Sequence, residues 1–83
     1  NVNVYPNPAN EYFYVMLDSY TDNIQFDLFD LNQKLISNYQ LNGYSNTINL
    51  SKIANGMYMY KVYTTDKIIK TGKVCIMENS LLR

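Results

Sequence analysis

The side chains that could carry chemistry in this 83-residue chain are seven carboxylates, seven basic groups and one cysteine, and there is no histidine. Without histidine, the chain lacks the usual base of serine and cysteine nucleophile pairs and the commonest metal ligand. A single cysteine can form neither an internal disulfide nor a zinc site built from cysteines. We therefore expect Cys75, in the alternating segment KVCIM, to be a small apolar filler.

The carboxylates are not spaced for acid/base chemistry. Asp27 and Asp30 cannot share a strand face, because side chains alternate along a strand. Asp18 and Asp22 lie in the segment DSYTD, which lacks the glycine and the ligand alternation of a calcium-binding loop. Solvated carboxylates explain both pairs better than a catalytic dyad does. We therefore predict no catalytic residue, no metal site and no cofactor, and we predict that the chain is not an enzyme.

The elements around these residues are predicted to be strands. Tyr, Phe, Val and Ile are abundant, and alanine occurs only at positions 9 and 54. Apolar residues alternate in six segments, 12–17, 23–30, 35–41, 47–50, 57–64 and 67–77, with turns predicted between them. In the second segment Phe26 and Leu28 are expected to face the core and Asp27 to face outward. This spacing is typical of an antiparallel β-sandwich of six or seven strands, and a closed five- or six-stranded barrel is the alternative.

Glycine and asparagine positions refine this prediction. Gly72 is expected to form a bulge in the last strand, so that Ile69, Val74 and Ile76 face the core while Lys70 and Lys73 turn outward. Gly56 is expected to close the turn of residues 51–56 with a positive φ. In the turn of residues 31–34, Asn32 is the residue expected to tolerate a positive φ.

Two prolines, Pro6 and Pro8, bracket Asn7 immediately before the first alternating segment. Neither proline can donate a ladder hydrogen bond, so the segment must run along an edge or leave the sheet. Each proline also favours extended geometry in the residue before it. The pattern predicts a stiff, extended lead-in, and an ordinary edge strand followed by a turn is the alternative.

The charge balance excludes some partners. The net charge is zero, which argues against a nucleic-acid binder. All seven basic residues follow position 33, and four lysines lie at 61, 67, 70 and 73. We interpret this asymmetry as surface solubility rather than as a basic binding face. No apolar run reaches the roughly 20 residues of a membrane span, and no secretion signal stands at the start. A start without methionine is consistent with a piece of a longer precursor.

The nine tyrosines suggest a second kind of function, a carbohydrate-binding or adhesive module. Tyrosine rings stack on sugars and bury large areas. Tyr20, Tyr44 and Tyr63 are the tyrosines expected to be exposed. Tyr58 and Tyr60 are better explained by packing. An adhesive module would need several exposed rings on one surface.

Three segments carry a family resemblance: YPNPANEYFYV, FDLFDLNQKLI and INLSKIANGMYMYKVYTTDKIIKTGKVCI. Over residues 4–77 the chain resembles the C-terminal sorting domain (type A) of type IX secretion system cargo proteins. The family has four recurring motifs: a Pro-Asn-Pro near the start, a central Leu-x-Gly-Lys turn, a Leu-x-x-Gly-x-Tyr segment and a terminal strand with lysine. The corresponding positions here are Pro6-Asn7-Pro8, Leu31–Lys34, 53–58 and Lys73-Val74. Gln33 stands where the family usually has glycine, and the chain continues past the expected end with MENSLLR.

The resemblance implies an Ig-like β-sandwich that acts as a secretion signal. Residues 1–10 would be the lead-in, 11–77 the sandwich and 78–83 a tail. Such a domain directs its cargo from the periplasm across the outer membrane of Bacteroidota to the cell surface or the medium. A sortase-like cysteine peptidase then removes it. The implied partners are the outer-membrane translocon, that peptidase and an N-terminal cargo domain of the same precursor.

Nine residues are candidates for recognition by the translocon, mostly in the last hairpin of residues 57–77. They are Pro6, Asn7, Pro8, Gly56, Tyr58, Lys70, Gly72, Lys73 and Val74.

Overall fold

A computed structural model describes residues 2–77, and the predicted tail of residues 78–83 lies outside this range. The described chain forms seven strands. They are β1 (Val2–Tyr5), β2 (Tyr12–Leu17), β3 (Gln25–Phe29), β4 (Leu35–Gln40), β5 (Ser45–Asn49), β6 (Gly56–Tyr63) and β7 (Ile68–Ile76). Among residues 2–77, no helix is long and apolar enough to cross a membrane.

The strands form two sheets, a three-stranded one in the order β1-β2-β5 and a four-stranded one in the order β4-β3-β6-β7. All pairs of neighbouring strands are antiparallel. This arrangement confirms the all-β sandwich and sets aside the closed barrel. The first strand, β1, lies within the range predicted as a lead-in, so the three-stranded sheet already begins at Val2.

The core lies between the two sheets and is filled by the residues whose alternation predicted it. Phe13 of one sheet meets Phe26 of the other with ring centroids 5.5 Å apart. Phe26 also stacks on Tyr60, at 5.4 Å and with the rings 12° from parallel. Each fully buried side chain of this size contributes roughly 1.5–3 kcal/mol to folding. The largest fully buried side chains are Phe13, Phe26, Ile24, Leu28, Leu41, Leu50, Ile76, Val2, Val15, Val62 and Val74.

Asp27 faces outward as predicted, yet only 8% of it is exposed. Its carboxylate accepts a hydrogen bond from the Asn38 amide at 2.6 Å. Burial and the neighbouring Asp27 carboxylate raise the pKa of the Tyr63 hydroxyl. Neighbouring strands therefore cover this carboxylate on the outer face of the four-stranded sheet, and its buried oxygens are paired.

The turn between β3 and β4 corrects one expectation. The positive φ, 67°, falls on Gln33 and not on Asn32. The carboxylate of Asp30 holds the turn by accepting hydrogen bonds from the backbone N–H groups of Asn32 and Lys34, both at 2.9 Å. Gln33 therefore takes the left-handed conformation at the position where glycine is usual in the resembling family.

The bulge in β7 also lies elsewhere than predicted. Val62 is paired with Lys70, whereas Tyr63 is paired with Ile68, so Ile69 is the extra residue. Gly72 is regularly paired with Tyr60. The prediction of a bulge at Gly72 was wrong, although Ile69 packs against the core as expected. Since Gly72 carries no bulge, the alternation that points Val74 and Ile76 inward continues to Lys70 and places it on the inner face as well.

Candidate recognition surface

Residues 6–9 form a strap that crosses from the three-stranded sheet to the edge of the four-stranded sheet. β1 ends at Tyr5, and the side chains of Pro6, Asn7 and Pro8 are exposed. The peptide bonds before both prolines are cis. The chain leaves the edge strand β1 after Tyr5 and reaches β7 at Ala9, in agreement with the alternative of an edge strand followed by a turn.

Ala9 anchors the end of this strap. Its side chain is buried, with 1% exposed, and it forms an isolated parallel bridge with Ile76. The Ala9 N–H donates to the Cys75 carbonyl at 2.8 Å, and the Met77 N–H donates to the Ala9 carbonyl at 2.8 Å. Ala9 thus adds one residue of a new strand to the outer edge of β7.

The side chain of Asn7 extends this pairing toward the start of the strap. Its Oδ1 accepts a hydrogen bond from the Cys75 N–H at 3.0 Å, and its Nδ2 donates to the Lys73 carbonyl at 3.3 Å. An amide carries one acceptor and one donor group, so it can satisfy an N–H and a carbonyl of a strand edge together. The strap therefore covers an edge that would otherwise be open to pairing with another chain.

Lys70 makes a second link between the sheets. Its Nζ donates to the carbonyl of Val2 at 2.7 Å. Lys70 lies directly opposite Val62, which is fully buried, so both side chains lie on the core side of the sheet. The prediction that Lys70 turns outward was wrong, because no bulge occurs at Gly72 and the regular pairing from Ile76 to Lys70 keeps Lys70 on the same inner face as Val74. Lys73, by contrast, is exposed as predicted.

Two of the predicted recognition residues are buried. Val74 is 1% exposed and Tyr58 is 7% exposed. The Tyr58 hydroxyl donates to the Ala54 carbonyl at 2.6 Å and so fixes the turn before β6. Gly56, which is exposed, has the predicted positive φ, at 153°. The burial of Tyr58 and Val74 indicates that they support the fold, since a partner cannot reach them without opening it.

The exposed candidates lie close together. Pro6, Asn7, Pro8 and Lys73 lie along the edge of β7, and Gly56 faces Ile76 from the neighbouring strand. We call the strap with residues 73–76 of β7 the strap edge. The Pro-Asn-Pro segment and the last hairpin are separate candidates in the sequence, whereas the structure places them side by side.

Sequence reasoning missed Ala9 and Cys75 as members of this surface. Their pairing spans 66 residues of chain, and no local pattern predicts a contact of that separation. The alternation of β7 correctly placed Val74 and Ile76 inward, but it could not show what lies along the edge.

The strap edge is suited to binding rather than to catalysis. It offers ordered backbone, an asparagine amide and one exposed lysine. Within residues 2–77, no group of three or more histidine, cysteine or acidic side chains could hold a metal ion. Cys75 is a half-buried free thiol. The fold and this surface therefore define a small antiparallel β-sandwich in which a strap covers one sheet edge.

Comparison with known families agrees with this class. Residues 3–77 match the family described as the secretion system C-terminal sorting domain. No curated protein matches the chain. Because the match covers most of the 83 residues, the chain belongs to this family, the C-terminal sorting domains of the type IX secretion system.

Membership in the family defines the general role. A domain of this kind is the C-terminal sorting tag of a cargo precursor that the type IX system handles. The tag implies export across the outer membrane to the cell surface or beyond, in Bacteroidota.

Proposed function

We propose that the outer-membrane translocon of the type IX system recognises this domain in its folded form at the strap edge. The observation that carries the proposal is the pairing of the Asn7 side chain with Lys73 and Cys75. This pairing makes one ordered surface out of the two segments that the family shares, the Pro-Asn-Pro segment and the terminal strand. Lys73 supplies an exposed cation there.

The domain is then removed by a sortase-like cysteine peptidase that cuts before β1. Val2 is buried and paired with Leu17, so a cut within the sandwich requires opening of the sheet. The chemistry belongs to the peptidase, and the domain itself contributes no catalytic group. In this scheme the cargo domain precedes Val2 in the precursor and reaches the outer membrane from the periplasm.

A fusion protein tests the sorting role. Residues 1–83 are placed behind a signal peptide and a neutral reporter, in a host that has a type IX system. The reporter is expected at the cell surface or in the medium, and the same fusion in a strain lacking the translocon is expected to stay in the periplasm. A reporter that stays in the periplasm of the competent host would count against the proposal.

A pair of lysine variants tests the strap edge itself. Lys73→Ala removes the exposed cation at this edge and is expected to lower export while leaving the melting temperature unchanged. Lys52→Ala is the matched control, because Lys52 is equally exposed but lies in the turn before β6. Both proteins should fold alike, since exposed charges contribute less than about 1 kcal/mol. Normal export of the folded Lys73 variant would move recognition to another surface.

A further inference from the structure

The outer face of the three-stranded sheet differs from the rest of the surface. The three strands VNVY, YFYVML and SNTIN contain no Asp, Glu, Lys or Arg. Tyr5, Tyr12 and Tyr14 lie on this face, with exposed fractions of 46%, 42% and 39%. Its remaining positions are Asn3, Met16, Ser45, Thr47 and Asn49.

The register arranges these side chains in rows across the sheet. Tyr5 lies opposite Tyr14, and Tyr14 lies opposite Thr47. In the next row, Tyr12 lies opposite Asn49. We call these five residues the tyrosine face. Thr47 therefore places a hydroxyl group beside Tyr14, and Asn49 places an amide group beside Tyr12. The tyrosine hydroxyls add further polar groups to the face.

We propose that the tyrosine face binds a neutral polysaccharide. A sugar ring has an apolar C–H face and a rim of hydroxyl groups. Tyrosine rings offer an apolar surface with a polar end. The Thr47 hydroxyl can donate and accept at the rim, and Asn49 offers its Nδ2 donor, since its Oδ1 already accepts from the Ser51 N–H at 2.8 Å. The face has the two kinds of contact that a sugar needs, in adjacent rows.

The lack of charge selects against other ligands. Single-stranded nucleic acid also stacks on aromatic side chains, but its phosphates require a groove of cations. Anionic lipid headgroups and acidic polysaccharides need lysine or arginine in the same way. Since the three strands carry no cation, the ligand that complements the face is uncharged.

The angle between the rings narrows the class of polysaccharide. The centroids of Tyr5 and Tyr14 are 5.6 Å apart and the ring planes are tilted by 47°. Two tilted rings cannot lie flat on the surface of a crystalline fibre at the same time. They suit a single, twisted chain in which successive sugars turn relative to one another. This binding function goes beyond sorting and does not depend on it.

Affinity electrophoresis of the full chain tests the proposal. The probes are three soluble neutral polysaccharides, laminarin, hydroxyethyl cellulose and galactomannan, each cast in a native gel. At least one is expected to retard the protein, and raising the salt concentration should not weaken that retardation. The protein should bind alginate, which is anionic, and crystalline cellulose no more strongly than it binds the neutral soluble probes. Absence of retardation by all three neutral probes would overturn the proposal.

Three tyrosine variants identify the surface. Tyr14→Ala is expected to weaken binding about tenfold, because it removes one stacking ring. Tyr14→Phe keeps the ring and should retain most of the affinity. Tyr44→Ala is the matched control, because Tyr44 is 58% exposed but lies in the loop after β4. Equal losses in Tyr14→Ala and Tyr44→Ala would overturn the assignment.

The same variants separate a sugar ligand from a protein partner. In the export assay described above, Tyr14→Ala is expected to reach the surface as well as the unchanged domain. A folded Tyr14→Ala protein that is exported poorly and still binds the polysaccharide would assign the face to the translocon, and the proposal would fall.

Discussion

The ring of Tyr60 lies directly over Gly72. A Cβ at position 72 would meet the Tyr60 hydroxyl oxygen at 2.6 Å and its Cζ at 2.7 Å. The two residues are paired across β6 and β7. The Tyr60 ring also stacks on the buried ring of Phe26. Gly72 is therefore required for space, since it leaves room for an aromatic ring to cover the strand.

Replacement of this glycine should be costly. Gly72→Ala is expected to lower the free energy of unfolding by about 1–3 kcal/mol, the usual cost of overpacking a core. Urea denaturation measures the change. The double variant Gly72→Ala/Tyr60→Leu should show a positive coupling, because the smaller side chain removes the clash. Equal stability of Gly72→Ala and the unchanged domain would contradict the close approach.

The turn after β3 offers a stabilising change. Gln33 has a φ of 67°, a conformation that costs a non-glycine residue roughly 1–2 kcal/mol. Gln33→Gly removes this cost but adds unfolded-state entropy, so a net gain of about 0.5–1 kcal/mol is expected in urea denaturation.

Asn32→Gly is the control for that change. Asn32 precedes Gln33 in the same turn and has no positive φ. Its replacement adds the same unfolded-state entropy without relieving strain, so it should lower stability. A gain from Asn32→Gly equal to that from Gln33→Gly would show that the backbone conformation is not the cause.

The strap edge can be tested by hydrogen exchange. Asn7→Ala removes the acceptor of the Cys75 N–H, so that amide should exchange faster while the core amides stay protected. The loss of two partly exposed hydrogen bonds should lower stability by about 1–2 kcal/mol. Asn7→Asp keeps an acceptor and should retain part of the Cys75 protection. Unchanged exchange in Asn7→Ala would show that the strap is held by Ala9 alone.

The two lysines of β7 should behave differently. Lys70→Ala removes the charged hydrogen bond to the Val2 carbonyl and the packing of the aliphatic stem. A loss of about 1–2 kcal/mol is expected. Lys73→Ala should change stability by less than about 0.5 kcal/mol, because Lys73 is exposed. Thermal unfolding of both variants measures the difference, and equal melting temperatures would contradict the inward position of Lys70.

Stability should fall in strong alkali because of Tyr60. Burial raises the pKa of Tyr60 above its ordinary value of about 10. The fold therefore favours the neutral hydroxyl. This contribution is fully present below pH of about 10 and is lost as the pH rises through the raised pKa.

Tyr60→Phe should reduce the loss of melting temperature between pH 9 and pH 12, and Tyr44→Phe should not. Absorbance at 295 nm follows tyrosine ionisation as the pH is raised. In that titration the Tyr60 variant should lack one of the tyrosines that ionise at the highest pH. An unchanged pH dependence in Tyr60→Phe would exclude Tyr60 as the cause.

The strands and their inner faces were predictable because their cause is local. The predicted segment 12–17 coincides with β2, and Phe13, Val15 and Leu17 are all buried. Alternation of side chains along a strand is a property of the backbone, so it is readable without knowledge of the partner strand. Gly56 was predicted for a similar reason, since a turn residue with positive φ is most often glycine.

The contacts that form the strap edge were not predictable in this way. A bulge can fall at any residue whose neighbours tolerate it, and in β7 it falls at Ile69 instead of at the glycine. Without a bulge at Gly72, the regular pairing of the strand keeps Lys70 on the core side. Of the three tyrosines expected to be exposed, Tyr44 is exposed, whereas Tyr20 and Tyr63 are half-buried. Tyr20, expected to be exposed, donates its hydroxyl to the Leu41 carbonyl and packs against the core. Such contacts depend on which strands become neighbours.

The strap has a consequence for the timing of synthesis. Asn7 emerges from the ribosome 66 and 68 residues before its two partners, Lys73 and Cys75. A precursor that stops short of Cys75 contains the Pro-Asn-Pro sequence but has no completed β7 edge for the strap to cover. Under the proposed recognition, only a precursor translated through Cys75 can form the strap edge, so export requires that the cargo preceding this domain has already been synthesised.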